Sequence, residues 1–150
     1  MGLLILSRAL TPIEDVLASV ALAAFKRGLK FDFDEDRKNK NKTEGIDVYV
    51  HKRYNDDNEN VEYFYLWIEH HARPNIMVLN LKGEPCYRLG VTDQAHYDRI
   101  MYDFTLEYLR LMPDHCITLY EKTYFYLKDM EVLEARGGYY EGWCYTQPNV

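Results

Sequence analysis

The chain has 150 residues, a formal net charge of −6, and 47% hydrophobic against 28% charged residues. That length suits one well-buried core and is short for two domains, and the composition is that of a folded chain, not a disordered one. The acidic balance argues against non-specific nucleic-acid binding, which draws on clustered Lys and Arg, and suits a basic partner better.

Leu3 to Ser7 reads as a buried strand. Its apolar run is too short for a membrane span and lacks the flanks of a signal peptide, so no membrane association and a cytoplasmic location are expected. Thr11-Pro12-Ile13-Glu14 is a helix start, with Thr11 as cap, Pro12 in the first turn and Glu14 closing a capping box. Ile13, Val16, Leu17, Val20, Ala21, Ala24 and Phe25 then recur at helical spacing as one apolar stripe, and Gly28 ends the helix. Leu29 to Phe33 resumes as a short strand. A polar loop from Asp34 to Gly45 follows, carrying the basic cluster Arg37-Lys38-Asn39-Lys40-Asn41-Lys42.

Ile46, Val48 and Val50 alternate with Asp47, Tyr49 and His51, the pattern of a half-buried strand. The turn Asn55 to Asn60 joins it to Val61-Glu-Tyr-Phe-Tyr-Leu-Trp-Ile-Glu69, so the two strands should form an antiparallel hairpin. With a period of two, the second strand puts Phe64, Leu66 and Ile68 on one face and Tyr63, Tyr65 and Trp67 on the other. Pro74-Asn75 marks a turn, and Ile76 to Leu81 a further strand ended by Gly83 and Pro85. A second helix is predicted over Asp93 to Met112, capped by Thr92 or Asp93 and stopped by Pro113. Cys116 to Tyr120 and Thr123 to Leu127 read as strands, and Met130 to Ala135 as another. Gly137-Gly138 turns the chain into an aromatic tail, Tyr139 to Tyr145, that should pack back on the body.

This order predicts a single α+β domain over residues 1–150, a mainly antiparallel sheet with two principal helices on one face. The opposite face then carries Tyr49, Tyr63, Tyr65 and Trp67, joined by Tyr124 and Tyr126 if the register allows. Two arrangements remain open. Either the tail, with Tyr139, Tyr140, Trp143 and Tyr145, covers this face, or the face is a recognition surface rimmed by Asp47, Asp56, Asp57, Glu59, Glu62 and Glu69.

No catalytic signature competes with this feature. The three cysteines, Cys86, Cys116 and Cys144, contain no C-x-x-C pair. Free thiols of a reducing compartment are expected, with one disulfide plus a leftover thiol as the secreted alternative. Glu69-His70-His71 invites a metal, but neighbouring strand residues point to opposite faces, so no metal ligand and no cofactor is predicted. His115 and Cys116 diverge for the same reason, and nucleophilic catalysis needs thiol and base within hydrogen-bond reach. His96 has no evident catalytic partner. Gly83, Gly90, Gly137, Gly138 and Gly142 lack the strand-to-helix setting of a phosphate cradle. No RNP-like pattern accompanies the basic loop, which leaves RNA a poor fit.

A small, acidic domain with fourteen tyrosines and no active-site motif resembles the immunity proteins of bacterial toxin systems. The likeness is one of character, carried by Tyr49, Tyr63, Tyr65, Trp67 and the acidic turn Asn55 to Asn60. It implies a cytoplasmic bacterial inhibitor, not an enzyme, that occludes a cognate toxin domain, usually a basic one. Tyr49, Asp56, Asp57, Glu59, Tyr63, Tyr65, Trp67 and Glu69 would then form the partner-binding set. The alternative is a small-ligand or enzyme domain with a pocket between the sheet and the C-terminal segment. A homodimer pairing its tyrosine faces is a third arrangement.

Overall fold

The structure, a computed structural model, describes residues 2–33, 45–55, 61–69, 77–93, 95–120 and 122–148. In chain order the elements are β1 (Leu3–Ser7), α1 (Ile13–Lys26), β2 (Lys30–Phe33), β3 (Gly45–Arg53), β4 (Val61–Glu69), β5 (Met77–Leu79) and β6 (Pro85–Val91). They continue with α2 (Asp98–Leu111), β7 (Cys116–Leu119), β8 (Thr123–Phe125), α3 (Leu127–Ala135) and a 3-10 turn, Trp143–Tyr145. The protein is an α+β domain whose strands run β2-β3-β4-β6-β1-β7-β8, every pairing antiparallel. β5 pairs with the start of β6, at Pro85 to Tyr87, while β4 takes its far end at Gly90 and Val91. Among the described residues no helix is long and apolar enough to cross a membrane.

The alternation expected in the hairpin is realised in full register, from Gly45 opposite Glu69 to Arg53 opposite Val61. One sheet face presents Leu3, Ile5, Val48, Val50, Phe64, Leu66 and Ile68 to Val16, Val20, Ala23 and Ala24 of α1 and to α2, all buried. Helix α2 is buried on every side from Ile100 to Leu109, since α1, the sheet, α3 and the 3-10 turn all pack on it. A helix covered all round must satisfy its polar residues internally. Arg27 therefore reaches in from the end of α1, its Nε 2.7 Å from Glu107 Oε2, with Asp103 and Glu134 carboxylates each 3.8 Å from its outer nitrogens.

Several boundaries differ from the sequence reading. Helix α2 begins at Asp98, not Asp93: of the two expected caps, the Thr92 hydroxyl is taken up by the Leu3 N–H, which it accepts at 2.8 Å, and Asp93 lies outside the helix. The free N–H of Ile100 in its first turn is met instead by Glu62 Oε1 from β4, 3.2 Å away. Met130 to Ala135 belongs to α3 rather than a strand. Its buried residues Met130 and Leu133 follow helical spacing, and Asp129 Oδ2 accepts the Tyr126 N–H at 2.9 Å, closing the first turn. Central strand β6 has no counterpart in the sequence reading, in which Pro85 ends a strand. Pro85 is instead the first residue of β6, where the missing N–H costs no ladder bond.

At α1 neither Thr11 nor Glu14 caps the helix. The Thr11 hydroxyl lies 3.1 Å from His115 Nε2, and Pro12 occupies the cap position. Gly28, at φ +67°, ends the helix as expected. Phe25, placed on the buried stripe by its spacing, is 80% exposed, and Phe33 at the end of edge strand β2 is 54% exposed. The expected strand over Ile76 to Leu81 is limited to Met77–Leu79, with Ile76 outside the described residues. The loop over 34–44, the turn over 56–60 and the Pro74-Asn75 turn also lie outside them.

The tail packs back on the body, but over the helices and not over the aromatic face. Trp143 is buried between Tyr102 and Phe125, and its indole donates to the Asp98 carbonyl at 2.7 Å. Asp98 accepts the Tyr139 hydroxyl at 2.7 Å and the Gly142 N–H at 2.8 Å, so one side chain at the start of α2 fixes the tail. Gln147 then lies along β8, accepting from Tyr124 N at 2.7 Å and donating to Tyr124 O at 2.8 Å. An amide side chain thus closes part of an edge strand that would otherwise offer its backbone to another chain.

Candidate aromatic recognition site

The sheet face turned away from the helices divides in two. Around β1, β6 and β7 it is sealed: Leu4, Leu6, Cys86 and Cys116 are buried beneath Val78, Val91, Tyr124 and Tyr126, the last two on the side that alternation placed them. Around β3 and β4 it is half-buried and almost entirely aromatic.

The aromatic part is built by cross-strand pairing. Tyr49 sits opposite Tyr65, His51 opposite Tyr63 and Asp47 opposite Trp67. The Tyr49 and Tyr65 rings stack at 4.8 Å, and Tyr49 and His51 at 4.3 Å. Tyr63 meets Tyr65 edge-on at 5.9 Å and Tyr97 at a tilt, 5.3 Å away. Asp32 on β2 holds the far end of the row, its Oδ2 2.8 Å from His51 Nε2. Offset and edge-on contacts of this kind contribute about 0.5–1.5 kcal/mol per pair beyond area burial, enough to make the row a rigid platform. Partial burial, followed by the neighbouring Tyr65 and Tyr63, raises the Tyr49 pKa, so its hydroxyl stays protonated.

Trp67 has a seat of its own. A Cβ placed on Gly45 would stand 2.5 Å from the indole Cζ2 and 2.5 Å from the Ile68 carbonyl oxygen, so the ring lies directly on a bare stretch of β3. Trp67 is flanked by Asp47 on β3 and Val91 on β6. Beside it lies an open hollow of about 270 Å³ lined by Asp47, Tyr63, Tyr65, Trp67, Val91, Asp93 and His96. Asp93 and His96 are exposed on its rim.

Four of the predicted partner-binding residues, Tyr49, Tyr63, Tyr65 and Trp67, are therefore together on one face. Asp56, Asp57 and Glu59 lie outside the described residues. Glu69 shares the face by register but is buried, its Oε1 bonded to the Arg88 guanidinium with Nε at 3.1 Å, so it braces β4 against β6 instead of serving as a rim acid. Glu62 points to the other side, at the start of α2; burial foremost raises its pKa, which the Ile100 N–H partly offsets. Sequence reasoning misses Asp93 as a site residue and reads His96 as an ordinary surface histidine. Both fall within the helix it predicts from Asp93, and the signal that would have moved them is the β-rich run Leu89-Gly-Val-Thr92.

His115 is buried, its two ring nitrogens 2.9 Å from the Tyr108 hydroxyl and 3.1 Å from Thr11 Oγ1, and burial lowers its pKa to about 4. Burial pushes the Cys116 thiol up to about 12, the reverse of what a nucleophile needs. All three cysteines are free and buried. Among the described residues no group of three or more His, Cys, Asp or Glu is placed to hold a metal ion; His70 and His71 lie outside them.

A second hollow of about 480 Å³ lies at the opposite end of the sheet, between Leu81 and Lys82, Pro113, the start of α3 and Pro148. Its charges, Lys82, Lys128, Asp129 and Glu131, are of mixed sign, and Asp129 is engaged in closing the first turn of α3. Comparison of the chain with protein-family models, with curated proteins and with solved structures gives no match in any of the three.

Proposed function

We propose that this chain is a binding protein of the immunity type, which captures a basic toxin domain on the aromatic half of its sheet and occludes that domain's active site. One observation carries the reading. The rings of Tyr49, Tyr63, Tyr65 and Trp67 stand together on one sheet face and are only half-buried, and among the described residues the tail packs Tyr139 and Trp143 against Tyr102 instead of against them. Rigid rings lose little conformational freedom on binding, and central aromatic anchors concentrate interface energy. The net charge of −6 would steer a basic partner toward the chain.

The test is a pull-down from source-cell lysate with the intact chain and a Tyr65→Ala/Trp67→Ala control, followed by an activity assay of what is retained. The reading expects a stoichiometric protein held by the intact chain alone, whose activity or toxicity falls to background at a 1:1 ratio. Trp67→Ala alone should weaken the complex by at least ~2 kcal/mol, a loss of roughly 30-fold, with cooperative unfolding preserved. Equal retention by both chains, or a partner whose activity is untouched, would sink it.

The small-ligand reading has its own observation in the larger hollow, whose volume of about 480 Å³ falls inside the range of roughly 300–1,000 Å³ usual for such sites. A thermal-shift screen against metabolites, with Tyr126→Ala as control, would favour that reading if a ligand raised Tm in the intact chain alone.

A further inference from the structure

We infer that the chain forms a two-fold dimer by joining edge strand β2 to the β2 of a second copy, with Phe31 opposite Phe31 and Lys30 opposite Asp32. The two edges of the sheet are finished differently. At β8 the Gln147 amide takes both backbone groups of Tyr124. β2 pairs with β3 alone, and no other described residue bonds its backbone. An open edge strand presents a row of N–H and C=O groups to any chain that can pair with it. The apolar side of this edge is open as well. Phe31 and Phe33 meet edge-on at 5.7 Å, Phe33 is exposed at the strand end, and Phe25 is exposed in the last turn of α1, which packs beside β2.

Charge selects the occupant and the register. Phe31 and Phe33 share the helix side with Val50 and Val48, while Lys30 and Asp32 share the other side with His51 and Tyr49. Antiparallel pairing with Phe31 on the two-fold axis sets each Lys30 directly across from the other copy's Asp32, so both cross-strand pairs are of opposite charge. Asp32 is exposed and bonded to His51 through Oδ2, which leaves its second oxygen to accept the ammonium. A slip of two residues sets Asp32 against Asp32 or Lys30 against Lys30, and a slip of one sets Phe31 against a charged residue. The strand complements itself in the one register. Directly opposed residues of an antiparallel pair lie on one face, so the axis stands perpendicular to the sheet. The aromatic rows of the two copies, each ending at the Asp32–His51 pair, then lie on the same side of one continuous sheet.

The test is sedimentation equilibrium of the full chain from ~1 to ~500 µM in low salt. No toxin is present, so the result is separate from that of the binding role. A monomer–dimer equilibrium is expected, weakened at least roughly 10-fold by Lys30→Asp or by Asp32→Lys, with urea melts confirming that each variant folds. Mixed in equal amounts, the two variants should form a heterodimer about as tight as the unaltered dimer, because every facing pair is again of opposite charge. A chain that stays monomeric throughout the range, a dimer indifferent to both reversals, or folded variants that fail to associate when mixed would overturn the inference. So would a dimer that Tyr65→Ala/Trp67→Ala abolishes and the charge reversals do not, since its contact would then be the tyrosine face.

Discussion

Tyr49, in the middle of β3, and Tyr54, just past its end, are near neighbours in sequence, yet they are held in opposite ways. Tyr54, just past β3, turns toward the helices and donates to Asp103 Oδ2 at 2.7 Å. Tyr49 turns outward and is held ring against ring by His51, Tyr63 and Tyr65. The same division runs through the molecule. On the helix side Tyr102 donates to Glu134 at 2.6 Å, Tyr139 to Asp98 at 2.7 Å, and Tyr108 bonds His115 at 2.9 Å. A buried hydroxyl must be satisfied, so Tyr54, Tyr102, Tyr108 and Tyr139 each bring a polar partner in with them, whereas Tyr49 and Tyr63 are held by contacts between rings. High tyrosine content therefore has two separate causes here, and only the second bears on recognition.

The polar partners are the vulnerable part of the packed side, and His115 carries the largest expected effect. Burial first, offset in part by Asp114, holds its folded-state pKa near 4, below the ordinary 6.5. The unfolded chain thus takes up the proton first as pH falls. The stability that this histidine contributes is full above pH 6.5, declines between 6.5 and about 4, and is gone below. That decline should amount to about 3 kcal/mol. Urea melts at intervals from pH 7 to pH 4.5 measure it, and His115→Gln should flatten the slope across that window. An unchanged slope would assign the acid sensitivity to carboxylates instead.

On the open side the weak point is steric. Gly45→Ala would set a methyl group 2.5 Å from both the Trp67 ring and the Ile68 carbonyl; the ring must turn off its seat, and the carbonyl cannot yield without moving β4. A loss of about 2 kcal/mol is expected, with the Trp67 fluorescence shifting while Trp143 stays buried. Performing the measurement in Trp67→Phe, where the spectral change should vanish, assigns it to the correct ring.

Legibility in the sequence divides along the same line. The alternation in Val61 to Glu69 and in Ile46 to His51 settles which rings share a face, because a period of two leaves each residue one side. The hairpin follows from it, whereas β1 and α1 are legible in their own apolar run and stripe, and the fold class in the order of the elements. What covers a face is another matter, for it depends on contacts distant in sequence. Nothing local in Trp143 says that it packs on Asp98 and Tyr102 and not on Trp67. Glu62 and Glu69 read as surface acids until Ile100 and Arg88, each far along the chain, claim them. The short strand β6 escapes because its leading proline is a turn signal in most settings, and without β6 neither Val91 nor Asp93 can be placed beside Trp67.

The sharpest form of the comparison is the same deletion of one hydroxyl on each side. Tyr54→Phe removes the bond to Asp103, a carboxylate already largely withdrawn from water and otherwise supported by Arg27 at 3.8 Å. The loss should be about 1.5 kcal/mol, the upper part of the usual range because the acceptor is charged. The ring itself stays, so the packing of Arg99 and Lys52 upon it is retained and the cost isolates the hydroxyl. Tyr49→Phe leaves the stacks at 4.3 and 4.8 Å intact and should change stability by no more than ~0.3 kcal/mol. Paired denaturation curves read both. If the two substitutions cost the same, the outer hydroxyl is bound into the fold as firmly as the inner one, and the open row is a second core layer, not a surface held ready for a partner.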